Sequence, residues 1–425
     1  MIAVRIKTPR PIQWIAEATL SAAEKAKDSS IAAAPAKAVA IVFVAAIFFV
    51  GYVTLPTTFV NLGNYLKDAA IDFTKARDTI NTSYNGMLTF TGNPIRHKGA
   101  YINVNGFMAR IMGQRVMNER VVLDNGNLEG MTGAVSADAR KKIVNSALQI
   151  YNAQKERGKH YLFIIAPHKV DKYNPGLPAG VTTSYNTNWD QIAKELTAEG
   201  IPVLDLRELV HNEGLDYASL HYKTDHHWKA EAGFWAYQKI IEYFTANGAI
   251  PAVDSLYTDD SNFNFKVYKD RFLGSDGKRV GTTYVGVDDF TVIYPKFDTN
   301  MSVKITSSKI DKAGSFYDVA LNHGANVLNY FNNSPYGIYG YGDKDYIQYR
   351  NENAPIDLKI VSYGDSYGNA TFTFLPLVFK TCDEYDFRHF KGNFAQNYKD
   401  YNPDIVIGLF SGIGDNTTYT FFPAK

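Results

Sequence analysis

IDLKIVSYGDS, residues 356–366, is the stretch on which the fold turns. Ile356–Val361 is an apolar run of strand length, and Tyr363-Gly364 turns the chain. Asp365-Ser366 then opens a stretch read as a helix reaching Lys380. Working outward, the same strand-to-helix alternation recurs. Tyr161–Pro167, Ile201–Leu206 and Asp404–Phe410 are continuous apolar runs, as buried parallel strands are. Ser136 is placed to cap a helix with Ile143, Ala147, Ile150 and Tyr151 on one stripe, ending at Gly158. Further helices are read at Trp189–Glu199, stopped by Gly200, and at Glu231–Asn247, with Phe234, Tyr237, Ile241 and Phe244 aligned. Alternating strands and helices predict an α/β fold: a parallel sheet with helices on both faces. Residues 250–354, rich in Asp, Asn, Gly and Tyr, read as a β-rich insertion, and residues 87–127 as loops and short strands.

In a parallel sheet, functional groups gather where strands end. Ser366 occupies such a place, and its own backbone N–H can face a developing oxyanion. The competing reading of Gly-Asp-Ser is an ordinary N-cap. The second chemical stretch is Tyr222-Lys-Thr-Asp-His-His-Trp228, just ahead of a helix. Asp225 and His227 are two apart, so an extended backbone puts both on one side, a carboxylate beside an imidazole. His226 points elsewhere. Ser366, His227 and Asp225 together supply the nucleophile, base and orienting acid of serine acyl transfer. Gly364, Asp365, Tyr222 and Arg388 are the candidates for oxyanion or substrate contacts, although Arg388 reads more readily as a strand surface charge. Asp-His-His also occurs as a metal signature in phosphoesterases. Asp171 and Asp205 lack the context to complete one, and no metal or cofactor is expected. Gly274-Ser-Asp-Gly277 reads as a turn, not a phosphate loop. Tyr336–Tyr341 reads as a hairpin turn that could also stack on sugar rings.

The chain has 425 residues, 45% of them apolar, enough for a large core. Lys+Arg 44 against Asp+Glu 43 leaves a net charge of +1, with no nucleic-acid signature. Cys382 is the single cysteine. It excludes an intrachain disulfide and reads as an inert buried thiol. Ala38–Leu55 is uncharged and spans about 27 Å as a helix, near the lower limit for a bilayer. Arg5, Lys7, Arg10, Lys25, Lys27 and Lys37 precede it and place the N-terminus in the cytoplasm. The expected organisation is a cytoplasmic segment 1–37, a transmembrane helix 38–55, a stalk 56–86 and an extracytoplasmic domain 87–425.

The block Tyr222–Trp228, the helix after it and the later Gly-Asp-Ser resemble the DHHW proteins and the alginate O-acetyltransferases of the SGNH-hydrolase-like superfamily. Ala166-Pro-His-Lys169, followed by Tyr173 and Pro178, is similar to that family's early strand-end loop. The resemblance spans roughly residues 87–410 and leaves 250–354 unmatched. It implies an SGNH-hydrolase-like domain in which Ser366 takes an acetyl group, His227 is the base and Asp225 orients it. It further implies a polysaccharide or cell-wall glycan as acceptor, and a multi-spanning membrane acyltransferase as source of the acetyl group. Asp365 departs from the Thr or Asn common in the alginate enzymes. The Gly and Asn oxyanion donors of the hydrolases have no clear counterpart, Asn393 reading more readily as a turn residue. The function expected is membrane-anchored O-acetyl transfer to an exported polysaccharide. A carbohydrate acetylesterase with the same triad and a non-catalytic glycan-binding scaffold are the alternatives.

Overall fold

Side-chain alternation along the central strands sets the architecture, because each strand must bury both of its faces. The computed structural model describes residues 98–325, 334–413 and 419–422, with Ile41, Val44 and Ala45. The expected segments 1–37, 38–55 and 56–86 otherwise lie outside the described residues. Among the described residues no helix is long and apolar enough to cross a membrane.

Helix α1 (Lys98–Ile111) precedes a small antiparallel ribbon of β1 (Val116–Met117), β2 (Arg120–Val122) and β3 (Leu128–Glu129). Then α2 (Ala137–Lys155) leads to β4 (His160–Ile165), and α3 (Tyr185–Ala198) to β5 (Val203–Asp205). Two helices follow, α4 (Leu206–Asn212) and α5 (Ala230–Ala246). A hairpin of β6 (Phe263–Phe272) and β7 (Asp288–Pro295) carries two one-turn helices between its arms, α6 (Gly277–Val280) and α7 (Thr282–Val285). The chain continues through β8 (Met301–Ile305), β9 (Ile310–Gly314), α8 (Phe316–Val319) and β10 (Tyr346–Asn351). It closes with β11 (Ile356–Gly364), α9 (Asn369–Phe372), β12 (Phe379–Tyr385), α10 (Phe394–Tyr401) and β13 (Ile405–Phe410).

The main sheet runs β5-β4-β13-β11-β12-β10-β8-β9. From β5 to β12 neighbours are parallel, whereas β10, β8 and β9 pair antiparallel. β13, the last described strand, lies in mid-sheet between β4 and β11. Leu162, Ile164, Ile405, Ile407 and Leu409 face one core with α5, while Tyr161, Phe163, Ile165, Val406 and Phe410 face another with α2, α3 and α10. Helices thus cover both faces, as the sequence predicts. Ser136 caps α2, its side chain accepting from the Ala139 N–H at 3.2 Å. Burial of Ile143, Val144, Ala147 and Ile150 seats that helix, at about 1.5–3 kcal/mol for each large side chain.

Several expectations change. The sheet is mixed, not wholly parallel, because β8, β9 and β10 out of the expected insertion 250–354 extend its edge. Among the described residues of that insertion, only the β6–β7 hairpin forms a separate sheet. Residues 98–111, read as loop or strand, are helical. No helix runs from Ser366 to Lys380: α9 has four residues, a 3₁₀ turn covers Leu375–Leu377, and β12 starts at Phe379. Thr371, Thr373 and Pro376 disfavour a continuous helix there, and the Thr373 hydroxyl turns back to the Asn369 carbonyl at 2.8 Å. Cys382 lies within β12, buried, its thiol pushed well up by that burial.

Candidate active site

Two loops build the site. The first runs from His221 to Trp228, which meet in an isolated bridge, so Asp225-His226-His227 sits at the closed tip. The Lys229 N–H donates to the Leu220 carbonyl at 2.7 Å and closes the loop at its base. The second loop leaves β11, whose end approaches β13 so closely that a Cβ on Gly364 would lie 2.0 Å from the Leu409 carbonyl oxygen. Glycine is required there for contact, not for a turn. Asp365 then braces the loop. Its Oδ2 accepts from Ser411 N (2.7 Å), Ser411 Oγ (2.9 Å) and Gly412 N (2.9 Å), and its Oδ1 from Tyr367 N (3.0 Å).

Ser366 stands at the loop's outer edge. Its Oγ is 2.7 Å from His227 Nε2, and His227 Nδ1 is 2.5 Å from Asp225 Oδ1. Asp225 and His227 are buried and Ser366 is half-buried. The same Oδ1 accepts the His227 backbone N–H at 3.2 Å, a local turn rather than the extended pairing inferred from spacing. Burial alone would raise the Asp225 carboxyl. The His227 imidazole and its hydrogen bond, with His226 and the Ser275 N–H, outweigh burial and hold it well below the usual carboxylate range. Asp225 is therefore an anion at neutral pH, able to stabilise an imidazolium. Among the described residues the Ser366 N–H meets no acceptor, which leaves it open to a ligand oxygen. It lies in a turn, not at the start of the longer helix expected from sequence.

Trp228 and His226 lock the two loops together. The Trp228 indole N–H donates to the Tyr367 carbonyl at 3.1 Å, and the Tyr367 hydroxyl to the His226 carbonyl at 2.5 Å. The His226 ring, half exposed, sits beside Ser275 with Nδ1 2.8 Å from its Oγ. The third wall comes from the segment that sequence comparison left unmatched. Ser275 N donates to Asp225 Oδ2 at 2.7 Å. A Cβ on Gly274 would fall 2.1 Å from Asp225 Cβ. Asp288, at the start of β7, accepts from Lys223 N and Thr224 N, both at 2.8 Å. The Tyr336 ring stacks on His227 with centroids 4.0 Å apart and planes at 17°. Sequence singled out only the turn at Gly274-Ser-Asp-Gly277 and the Tyr336–Tyr341 stretch, neither of them as a wall of this site.

The structure does not bring the other candidates to the serine. Tyr222 is wholly buried, edge-on to Phe272 at 4.7 Å, and acts as core. Asp365 presents only acceptor oxygens, both occupied, so it braces rather than binds an oxyanion. Arg388 spends its guanidinium on Asp386 (2.6 and 2.9 Å) and Asp343 (3.2 Å). Asn393 caps α10. Tyr336, Tyr339 and Tyr341 are buried, in and beside a 3₁₀ turn, not displayed on a hairpin. Asp205 caps α4 and binds Arg207, and Asp171 accepts from Tyr173 N. Asp225, His226 and His227 offer ligand atoms within 4.8 Å of one another. Yet the Asp225 oxygens already face three N–H groups and His227 Nε2 faces a hydroxyl, a donor set that suits proton transfer better than an ion.

Residues 133–264 match the model of a family described as the SGNH hydrolase-like domain of acetyltransferase AlgX. Over those residues the chain is similar to an SGNH hydrolase-like domain. The match takes in Asp225 and His227 and ends before Ser366. PatB1 of Bacillus cereus has the same fold at 20% identity, with a TM-score of 0.58 over 71% of this chain and 100% of that one. PatB1 bearing a sulfonyl adduct aligns at 18% identity and 0.58, over 71% and 97%. A DHHW family protein from Eubacterium siraeum aligns at 18% identity and 0.52, over 71% and 94%. No curated protein matches the chain by sequence.

Proposed function

We propose that this domain transfers acetyl groups to a polysaccharide or cell-wall glycan outside the membrane, through an acyl-serine at Ser366. The contact of His227 Nε2 with Ser366 Oγ at 2.7 Å, backed by Asp225, carries the reading. Ser366 Oγ attacks the acetyl carbonyl as its proton passes to His227 Nε2. Asp225 accepts the Nδ1–H and stabilises the imidazolium, while the Ser366 N–H faces the oxyanion. Collapse breaks the bond to the donor's leaving group, which takes the proton from His227. A sugar hydroxyl then gives its proton to His227 and attacks the acyl carbon; the bond to Ser366 Oγ breaks as His227 returns that proton to it. The family match to an acetyltransferase's domain supports transfer as the reaction class. Anchoring by residues 38–55, with a membrane acyltransferase supplying acetyl, completes the proposal.

The test follows release of a chromogenic acetyl ester and acetylation of an added oligosaccharide. Ser366→Ala is expected to lower both by about a thousandfold or more without unfolding the domain. Retained turnover in that variant refutes the acyl-serine. Ester cleavage unaffected by any oligosaccharide makes the domain an esterase.

A further inference from the structure

Helix α1 is turned inside out. Its protein-facing side is small and polar. Gly106 and Ala109 are buried, and a Cβ on Gly106 would fall 2.2 Å from the Val280 carbonyl oxygen. Asn103 Oδ1 accepts from Thr282 N at 2.7 Å. Its large apolar residues point the other way. Val104 (64%), Phe107 (51%), Met108 (49%), Ile111 (65%), Met112 (60%) and, just beyond, Val116 (51%) are exposed. The first five follow i, i+3, i+4, i+7, i+8 spacing, one continuous stripe. A soluble helix normally buries that stripe, so this one is built to meet another apolar phase.

Charge and length say which. From Lys98 to Asn118 the chain holds Lys98, Arg110 and Arg115 and no Asp or Glu; Arg115 is paired with Asp124 at 2.8 Å, so Lys98 and Arg110 are the cations offered. Basic residues beside an apolar stripe complement anionic lipid headgroups. At 14 residues α1 is about 21 Å long, too short to cross a bilayer, so it would lie in the plane of the interface. The uncharged run at residues 38–55 independently suggests a nearby bilayer. We propose that α1 is an interfacial helix, seating its Val104–Met112 stripe in the headgroup–acyl boundary of an anionic lipid surface. This does not depend on the acyl-transfer reading.

The full chain offers a clean probe, since its only native cysteine, Cys382, is buried. Met108→Cys carries an environment-sensitive dye, with Val104→Cys as a second site and Lys141→Cys on α2 as the exposed control. Each is reconstituted into phosphatidylglycerol/phosphatidylcholine vesicles containing doxyl-labelled lipid. Labels at 104 and 108 are expected to shift to shorter wavelength and to be quenched by the doxyl lipid, while the label at 141 is not. Phe107→Ser with Ile111→Ser in the labelled chain is expected to cut that quenching about tenfold or more, the factor for losing buried apolar side chains. Labels at 104 and 108 as accessible to aqueous iodide as the label at 141 overturn the proposal. So does protection that depends on protein concentration in detergent, which assigns the stripe to a second copy, or protection seen only in native membranes, which assigns it to a protein partner.

Discussion

Replacing Gly274 by Ala tests whether the remote turn positions the catalytic acid. The added methyl would sit 2.1 Å from Asp225 Cβ and 2.4 Å from both its Cα and its Oδ2. Ordinary contact starts near 3.4 Å, so the two segments must part by roughly 1.3 Å. Asp225 cannot yield alone, because His227 Nδ1 and Ser275 N hold its two oxygens. The displacement therefore reaches the imidazole and its 2.7 Å contact with Ser366. A misplacement of about 1 Å commonly costs a hundredfold in rate. Overpacking of this kind costs about 1–3 kcal/mol, which a large domain survives. Gly274→Ala is thus expected to lower kcat/KM on a chromogenic acetyl ester about a hundredfold, with a small fall in Tm. Gly133→Ala, whose Cβ meets nothing within 4 Å, is the matched control and should leave rate and Tm unchanged. A Gly274→Ala protein with a wild-type rate and wild-type Tm would refute the clamp, and with it the claim that the β6–β7 segment belongs to the site.

Three further outcomes are expected. Glu384 is pushed up to about 8, first by burial, then by Asp386 and Asp343. The folded chain holds this proton where the unfolded chain releases it above about 4.5, so this group's contribution to stability is full in acid and lost as pH climbs towards 8. Glu384→Gln should gain on the order of a few kcal/mol over wild type at pH 9 and nothing at pH 4, read by denaturant titration at each pH. Asp365→Asn replaces an oxygen that accepts two or more N–H or O–H donors, and should cost about 3 kcal/mol together with most of the ester turnover. Trp228→Phe leaves the Tyr367 carbonyl unpaired. It should cost about 1–3 kcal/mol and loosen the serine loop, seen as lower kcat with little change in KM.

The sheet's centre was legible because buried parallel strands leave continuous apolar runs, as at Tyr161–Pro167 and Asp404–Phe410. The helices α2, α3 and α5 were legible for their 3.6-residue stripes and their caps. The edge was harder. Met301–Ile305 and Tyr346–Asn351 alternate buried and less buried residues, a period-two signal diluted by the Asp- and Asn-rich chain around them. Helix α1 escaped because its stripe faces outward, so it lacks the polar outer face that marks a surface helix. The Asp225–His227–Ser366 grouping was suggested by residue types, but the contacts of Gly274, Ser275 and Asp288 with the base loop lie 50 or more residues away in sequence. No local period records them. Asp365 shows a different gap: one short motif held both the nucleophile and its brace, and the residue types alone do not say which oxygen does what.

The position of β13 has a consequence for biogenesis. A nascent chain that has emerged only as far as α10 holds β4 and β11 with bare inner edges and an empty slot between them, the kind of surface that invites mispairing. The last described strand must thread into that slot, and only then can Ser411 and Gly412 reach Asp365. Gain of ester-cleaving activity during synthesis would therefore report the final insertion step rather than early collapse, and a chaperone that shields strand edges would set its timing.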